Sequence, residues 1–309
     1  MPIDYNLKFG AKYTHTWRGI MKRLYLILLL MSLVVIFAGC ATHGARWSEL
    51  RPTRDNGKWF FIPTDDLPTS HIHTLHADIF GKYVSGYNYL VLKAVDKVQA
   101  HALEGGGYFI GVKAVPAESP MGYPVSLFGL PLLNPPRKTS YCSGSSYTVF
   151  IEALNMIFPQ GMKRLTLEHF EAMRMQEPDG GRREDGVKFW GHWNADGNGS
   201  QFALVQYSGM GREVKPCDAR PGDFMNISWN NGGGHSVVFL GWLLNKEGKL
   251  GIAYWSSQGG TNGMSDVYAD TVSRIKAVKV VRLTRPEKLF CFNPIAPVKT
   301  KVPGDPLNY

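Results

Sequence analysis

Acidic residues are scarce in this 309-residue chain: 25 Asp and Glu stand against 34 Lys and Arg, a formal net charge of +9. Residues 1–39 hold five basic residues and one acidic, so residues 40–309 carry 29 basic against 24 acidic, a milder +5. The excess is not clustered, and no basic stripe interleaved with aromatics runs through the sequence. Nucleic acid is therefore not an expected partner; a weak attraction to anionic envelope polymers is all the charge implies. Apolar runs of membrane-spanning length are lacking too. The uncharged run Leu24 to Phe37 has fourteen residues, too short for a comfortable span. Metal-ligand sets are incomplete. His71, His73 and His76 lie close in sequence, and His73 and His76 share a face at helical spacing. No cysteine or second ligand pair is nearby, and Asp78 is the only close carboxylate, so a solvated or capping cluster is expected instead of a metal site. Asn194, Asp196, Asn198 and Gly199 imitate half of a calcium loop, but the twelfth position is Val205 where a bidentate Glu is needed. A turn feeding a helix from Ser200 accounts for the same residues. No metal and no cofactor are expected.

What is present begins with the N-terminus. Met21-Lys-Arg23 is a short basic region, the apolar run follows, and Ala38-Gly-Cys40 ends it. This is the layout of a secretory signal over residues 1–39, with Met21 read as the true start. The ending Phe37-Ala-Gly-Cys40 resembles a bacterial lipoprotein cleavage box, although that family prefers Leu where Phe37 stands. The resemblance implies that Cys40 is lipidated and becomes the mature N-terminus, which places the protein in the cell envelope, membrane-anchored through its lipid (on the periplasmic face if Gram-negative). A single uncleaved membrane anchor is the alternative. Residues 40–57 are polar and aperiodic and read as a tether. The 270 residues from Cys40 onward suffice for one sizeable core, expected over residues 58–293, with the proline-bearing segment 294–309 as a flexible tail.

The centre of the chain is Thr139-Ser-Tyr-Cys142-Ser-Gly-Ser-Ser, followed by apolar residues at Tyr147, Phe150, Ile151, Leu154, Ile157 and Phe158. That spacing predicts a helix with Cys142 at its mouth and Ser140, Ser143 and Ser145 as cap-type residues. Unpaired N–H groups and the positive end of the helix dipole favour a thiolate there. Flanking helices are expected over 87–103 and 166–175, and a strand from Tyr108 to Val112. Residues 115–138 are rich in Pro and Gly and read as irregular. Downstream, Pro221-Gly-Asp223 turns into a strand, Asn230-Asn-Gly-Gly-Gly234 turns the chain again, and His235 opens a strand apolar on both faces. Leu250 to Gln258 and Ala277 to Leu283 read as further strands, with Ile252, Tyr254, Ser256 and Gln258 on one face. A helical segment with a cysteine followed by antiparallel strands with a histidine argues an α+β fold.

A Cys at a helix start and a His opening a strand, 93 residues apart (235 − 142), form a nucleophile–base pair in the order of papain-like cysteine hydrolases. Cys142-Ser-Gly, Pro221-Gly-Asp223 and Gly234-His235 together resemble the NlpC-type and CHAP-type bacterial cell-wall cysteine peptidases and amidases, over Tyr141 to about Asp266. The resemblance implies a papain-like fold with Cys142 as nucleophile, His235 as base and a third polar residue on the next strand, here Gln258 or, less directly, Ser256, with Asn262 in reserve. It also implies peptidoglycan, or another envelope amide, as substrate. Residues 159–218 are longer than the families' connection, and their tyrosine-containing segment before the cysteine is not evident. Two other readings remain open: acyl or peptidyl transfer through the same thioester, and a non-catalytic envelope-binding module. Trp190, Trp193, Trp229, Trp242 and Trp255 are core residues or the lining of a groove. Cys217 and Cys291 are candidates for a disulfide in an oxidising compartment.

Overall fold

The eleven residues Gly234–Leu244 form a strand buried on both faces from Ser236 to Leu243, and the fold is arranged around it. The computed structural model describes residues 56–109, 121–133, 138–174, 189–190, 201–298 and 302–309. Residues 51–309 make one folded unit; residues 1–50 are a separate unit outside the described residues. The lipidation candidate Cys40, the signal segment and the calcium-like loop 194–200 lie outside the described residues.

The helices are α1 (His76–Phe80), α2 (Tyr87–Gln99), α3 (Cys142–Ile157), α4 (Leu167–Ala172) and α5 (Ala203–Gln206). A small hairpin pairs β1 (Val125–Leu127) with β2 (Leu130–Leu133). The main sheet holds β3 (Gly211–Val214), β4 (Phe224–Trp229), β5 (Gly234–Leu244), β6 (Leu250–Gln258), β7 (Gly263–Ala269) and β8 (Ile275–Leu283), in the order β3-β8-β4-β5-β6-β7 and antiparallel throughout. β4 to β7 are a meander, and β8 returns to the far side of β4. The α+β class expected from the sequence is what the chain adopts.

Both sheet faces are covered, which explains the unbroken apolar run of β5. On one face lie α3 and α2, with Val238, Leu240, Leu243, Ala253 and Trp255 in the same core as Phe150 and Leu154. On the other, Val237, Phe239, Trp242, Ile252 and Val280 form a second core, with Trp59, Phe61 and Leu307 against it. A bulge between Phe239 and Gly241 sets Leu240 as the extra residue of β5. Past the end of β4, Phe61 bridges Trp242, so the Trp59–Phe61 run does the covering work its apolar residues suggest. α3 is buried all round from Ser143 to Leu154, so its apolar period marks a central helix and not a surface one.

Several expectations are corrected. The end of the tail is held: Asp305 exchanges both backbone hydrogen bonds with Val278 at 2.9 and 2.7 Å, and Tyr309 packs edge-on against Trp59 and Phe61. The tether's last residues are held as well, Asn56 and Gly57 donating their N–H groups to Asp218 Oδ1. Cys217 and Cys291 are free thiols. The Pro/Gly-rich segment contains the β1–β2 hairpin, turned at Phe128 and Gly129 with positive φ. Among the described residues no helix is long and apolar enough to cross a membrane.

Candidate active site

Cys142 is the first residue of α3. Its N-cap, Tyr141, has extended backbone and no side-chain cap, so the nearby serines are not caps. Ser145 and Ser146 donate back to the Cys142 carbonyl at 2.9 and 3.0 Å. They also fasten the helix to the sheet. Ser146 Oγ lies 2.7 Å from Ser236 Oγ on β5, and Ser145 Oγ accepts from the Ser257 N–H of β6 at 3.2 Å. Ser140 Oγ donates to Ser257 Oγ at 2.8 Å. These small side chains let the first turn of α3 lie directly on β5 and β6 and satisfy polar atoms that burial would leave unpaired.

The β5–β6 ladder stops at Val238 and Trp255. Toward His235 and Gln258, Ser256 Oγ donates to the Ser236 carbonyl at 2.7 Å, while the Ser236 N–H favours the charged form of the nearby Cys142 thiol. Three backbone N–H groups, those of Ser236, Ser143 and Cys142 itself, favour the thiolate. Ser236 is the residue after His235, and this is how the helix end and the His-bearing strand end come together.

Across the interrupted ladder, His235 Nε2 is 3.3 Å from Gln258 Oε1. The Gln258 amide nitrogen donates to Thr261 Oγ1 at 2.8 Å and Ser265 Oγ at 2.9 Å. With its N–H groups engaged there, the amide presents its oxygen to the ring. Nε2 then carries the imidazole proton and Nδ1 is the basic nitrogen. Of the three candidates for this role, Gln258 is the one in contact. Ser256 donates to a backbone carbonyl instead, and Asn262 sits in the left-handed region (φ 51°) with its carbonyl accepting from Gly107. Thr261 and Ser265 were not singled out from the sequence, because their role exists only through Gln258.

The electrostatics differ from the expectation of a depressed thiol. Burial is the largest effect on Cys142 and pushes its thiol up; the three N–H groups oppose it. Burial likewise pushes His235 down to about 4, with Gln258 opposing. Each group rests neutral, Cys142 as a thiol and His235 as an imidazole, because desolvation outweighs a single helix terminus; among the described residues no hydrogen bond joins the two, and Gln258 is the side chain that bonds the ring. Tyr108 and Tyr254 stand around the sulfur; burial and then the Cys142 charge push both up to about 12, so both keep their protons. The His235 ring is edge-on to Tyr254 at 5.5 Å and stacks on Trp229 at 6.3 Å. Of the other tryptophans considered, Trp190, Trp242 and Trp255 are fully buried core, and Trp193 lies outside the described residues.

Pro221-Gly-Asp223 is a structural joint. Asp223 is fully buried and takes two bonds from Arg282, at 2.7 Å each, and one from Asn88 at 2.8 Å. Gly222 has φ +85°, and a Cβ there would lie 2.5 Å from the Asn88 carbonyl oxygen, so only glycine fits.

The histidine cluster is not solvated. His76 is fully buried, with Nδ1 2.7 Å from Asp96 Oδ1 and Nε2 2.9 Å from Asp266 Oδ1. Both ring nitrogens face carboxylate oxygens, so both carry protons and His76 is an imidazolium. Its charge partners push it up to about 9 against burial, and Asp266 is held down at about 2 although burial opposes this. His73 Nε2 donates to Asp266 Oδ2 at 2.9 Å while its Nδ1 accepts the Leu75 N–H at 3.1 Å. Tyr268 donates to the same Oδ2, and His71 Nδ1 reaches the Asp266 carbonyl oxygen at 3.0 Å. His73, His76 and Asp266 are close enough together to suggest a cation site. The hydrogen bonds argue otherwise: His73 Nε2 carries a proton, and the His73 and His76 rings stack at 4.3 Å and 24°, which sets their ligand axes side by side instead of converging. The cluster is a proton-rich clasp joining α1 and the segment before it to α2 and β7. Its carboxylates, Asp96 and Asp266, lie 20 and 190 residues from His76, beyond the reach of a local reading.

Compared with protein-family models, with curated proteins and with solved structures, the chain matches none.

Proposed function

We propose that the chain is a cysteine hydrolase of the bacterial envelope that cleaves amide bonds, with Cys142 as nucleophile, His235 as base and then acid, and Gln258 as the residue that orients the imidazole. The observation that carries this is the meeting of the first turn of α3 with the end of β5: Ser146 of the Cys142 turn bonds Ser236, the residue after a histidine whose ring is held by Gln258. A cysteine helix on a histidine-bearing antiparallel sheet is the papain-like arrangement, and the short motifs resemble NlpC-type and CHAP-type enzymes.

In this reading the thiol proton moves to His235 Nδ1 as the sulfur attacks the substrate carbonyl. The backbone N–H groups that favour the thiolate serve, in the same reading, as donors to the developing oxyanion. The imidazolium then protonates the leaving amine, the thioester forms, and water, deprotonated by His235, releases the acid. Because both groups rest neutral, proton transfer accompanies attack; an ion pair does not wait for substrate. Gln258 fixes the ring but adds no negative charge. The envelope location and a peptidoglycan substrate follow from the resemblances of the N-terminus and the motifs.

The test is digestion of purified peptidoglycan by the full-length protein, with products resolved by mass. New amine and carboxyl termini, abolished in Cys142→Ser and His235→Ala, are expected. Equal release by Cys142→Ser would defeat the proposal, and acyl groups appearing on an added amine instead of on water would assign transfer.

A further inference from the structure

The two aromatic rings that hold His235 also wall a cavity. Trp229 and Tyr254 line one side of a concave pocket of about 520 Å³ on the sheet face opposite α3. Its floor is apolar: Ile252 of β6, Val267 and Ala269 of β7, and Ile275 at the start of β8. The mouth is bounded by the Asn230–Asn231 turn and the β7–β8 connection. Arg274 is the one charged residue in the lining, exposed at the rim, and it forms no ion pair among the described residues.

We propose that this pocket is the substrate-group subsite of the Cys142–His235 centre and takes an apolar acyl or side-chain group that ends in a carboxylate. The inference rests on the reading of Cys142 and His235 given above and deepens it. An apolar floor favours a group of several carbons by removing it from water. A lone guanidinium at the mouth pairs with a carboxylate in a forked geometry and repels a cation. Placement supplies the rest: the Trp229 and Tyr254 rings, which line the cavity, have their centroids 6.3 and 5.5 Å from that of His235. A group seated there holds its attached carbonyl beside the imidazole. The polar backbone of a stem peptide does not fill such a floor, so the preferred amide carries an apolar substituent.

Binding is measured apart from catalysis by titrating full-length protein bearing Cys142→Ala with octanoate and with octylamine in a calorimeter. Octanoate is expected to bind at least about tenfold more tightly than octylamine. Arg274→Gln, an exposed change, should abolish that preference; Ala269→Trp, which fills the floor, should weaken octanoate about tenfold or more. Equal binding of the two probes, or an octanoate affinity unmoved by both substitutions, overturns the proposal. Octanoate binding with the expected pattern, in a protein whose wild-type form shows no thiol-dependent cleavage, supports the pocket and defeats the catalytic reading alone.

Discussion

Replacing Asp266 by Asn keeps the size of the side chain and removes the charge at the centre of the histidine clasp. In the wild type, Asp266 accepts from His76, His73 and Tyr268 while fully buried. An amide has one acceptor oxygen, and its NH2 group must face a donor, so at least one buried proton loses its partner. His76 is raised from 6.5 to about 9; at about 1.4 kcal/mol per pH unit this amounts to about 3 kcal/mol of stability. Breaking a buried ion pair costs about 3–5 kcal/mol, the same range. The sign with pH follows from the direction. A raised His76 contributes fully below 6.5 and is lost as pH rises through about 9, because the folded chain binds the extra proton in that window. A lowered Asp266 contributes above 3.8 and is lost as pH falls through about 2. Urea unfolding at several pH values should therefore show the wild type losing about 1.4 kcal/mol per unit between about pH 6.5 and 9. Asp266→Asn should be less stable near pH 6 by up to about 3 kcal/mol and lose the Asp266 share of that slope, while Asp96 keeps the remainder. Differences between the two proteins cancel the other titrating groups. A variant with the wild-type slope across that window would refute the imidazolium assignment of His76.

Four further outcomes follow from the same geometry. Alkylation of Cys142 by iodoacetamide should accelerate through and beyond the ordinary thiol range of about 8.5, because burial raises this thiol; a fast plateau below neutral pH would show a resting ion pair instead. Gln258→Glu should raise His235 from about 4 by placing a carboxylate at its Nε2, read by NMR titration of the imidazole, and an unmoved ring would place the ring away from residue 258. Ser265→Ala with Thr261→Val should free the Gln258 amide and lower kcat about tenfold or more at constant KM, since about 1 kcal/mol attends each lost hydrogen bond; equal kcat would remove the orienting role of Gln258. Asp223→Asn should cost about 3–5 kcal/mol in denaturant unfolding by stranding the buried Arg282 guanidinium, and a loss below about 1 kcal/mol would contradict the joint described for Pro221-Gly-Asp223.

The elements legible in the sequence are those whose apolar pattern is set by the core. α3, β5, β6 and β8 bury long apolar runs, and their sequence signals match their places. β7 was not legible because its inward residues are polar: Gly-Met-Ser-Asp-Val-Tyr-Ala lacks a clean alternation. Ser265 and Asp266 are nevertheless fully buried, since each meets a polar partner from another element. β3, four residues long, is too short to carry a period, and the β1–β2 hairpin is masked by the prolines around it. The hold on the tail is hidden from sequence for a related reason, because scattered contacts such as the Asp305–Val278 bridge, the Lys279–Asp305 ion pair and the Tyr309 ring edges form no repeated pattern. The direction of the Cys142 shift was also hidden: a helix terminus can be read from sequence, whereas the depth at which it is buried cannot.

The missed strand is the one that links the two polar networks. Successive residues of a strand point to opposite faces. Ser265 turns to one face and holds the amide of Gln258, which holds His235. Asp266 turns to the other and holds His76 and His73. The position of β7 is therefore fixed by a buried charge on one face and felt at the imidazole on the other. Gly263 makes the coupling tight: its φ is +133°, and a Cβ there would lie 2.0 Å from the Gly105 carbonyl oxygen, so the start of β7 lies against the turn after α2 with no room for a side chain. Loosening the clasp consequently reaches the candidate active site through one strand.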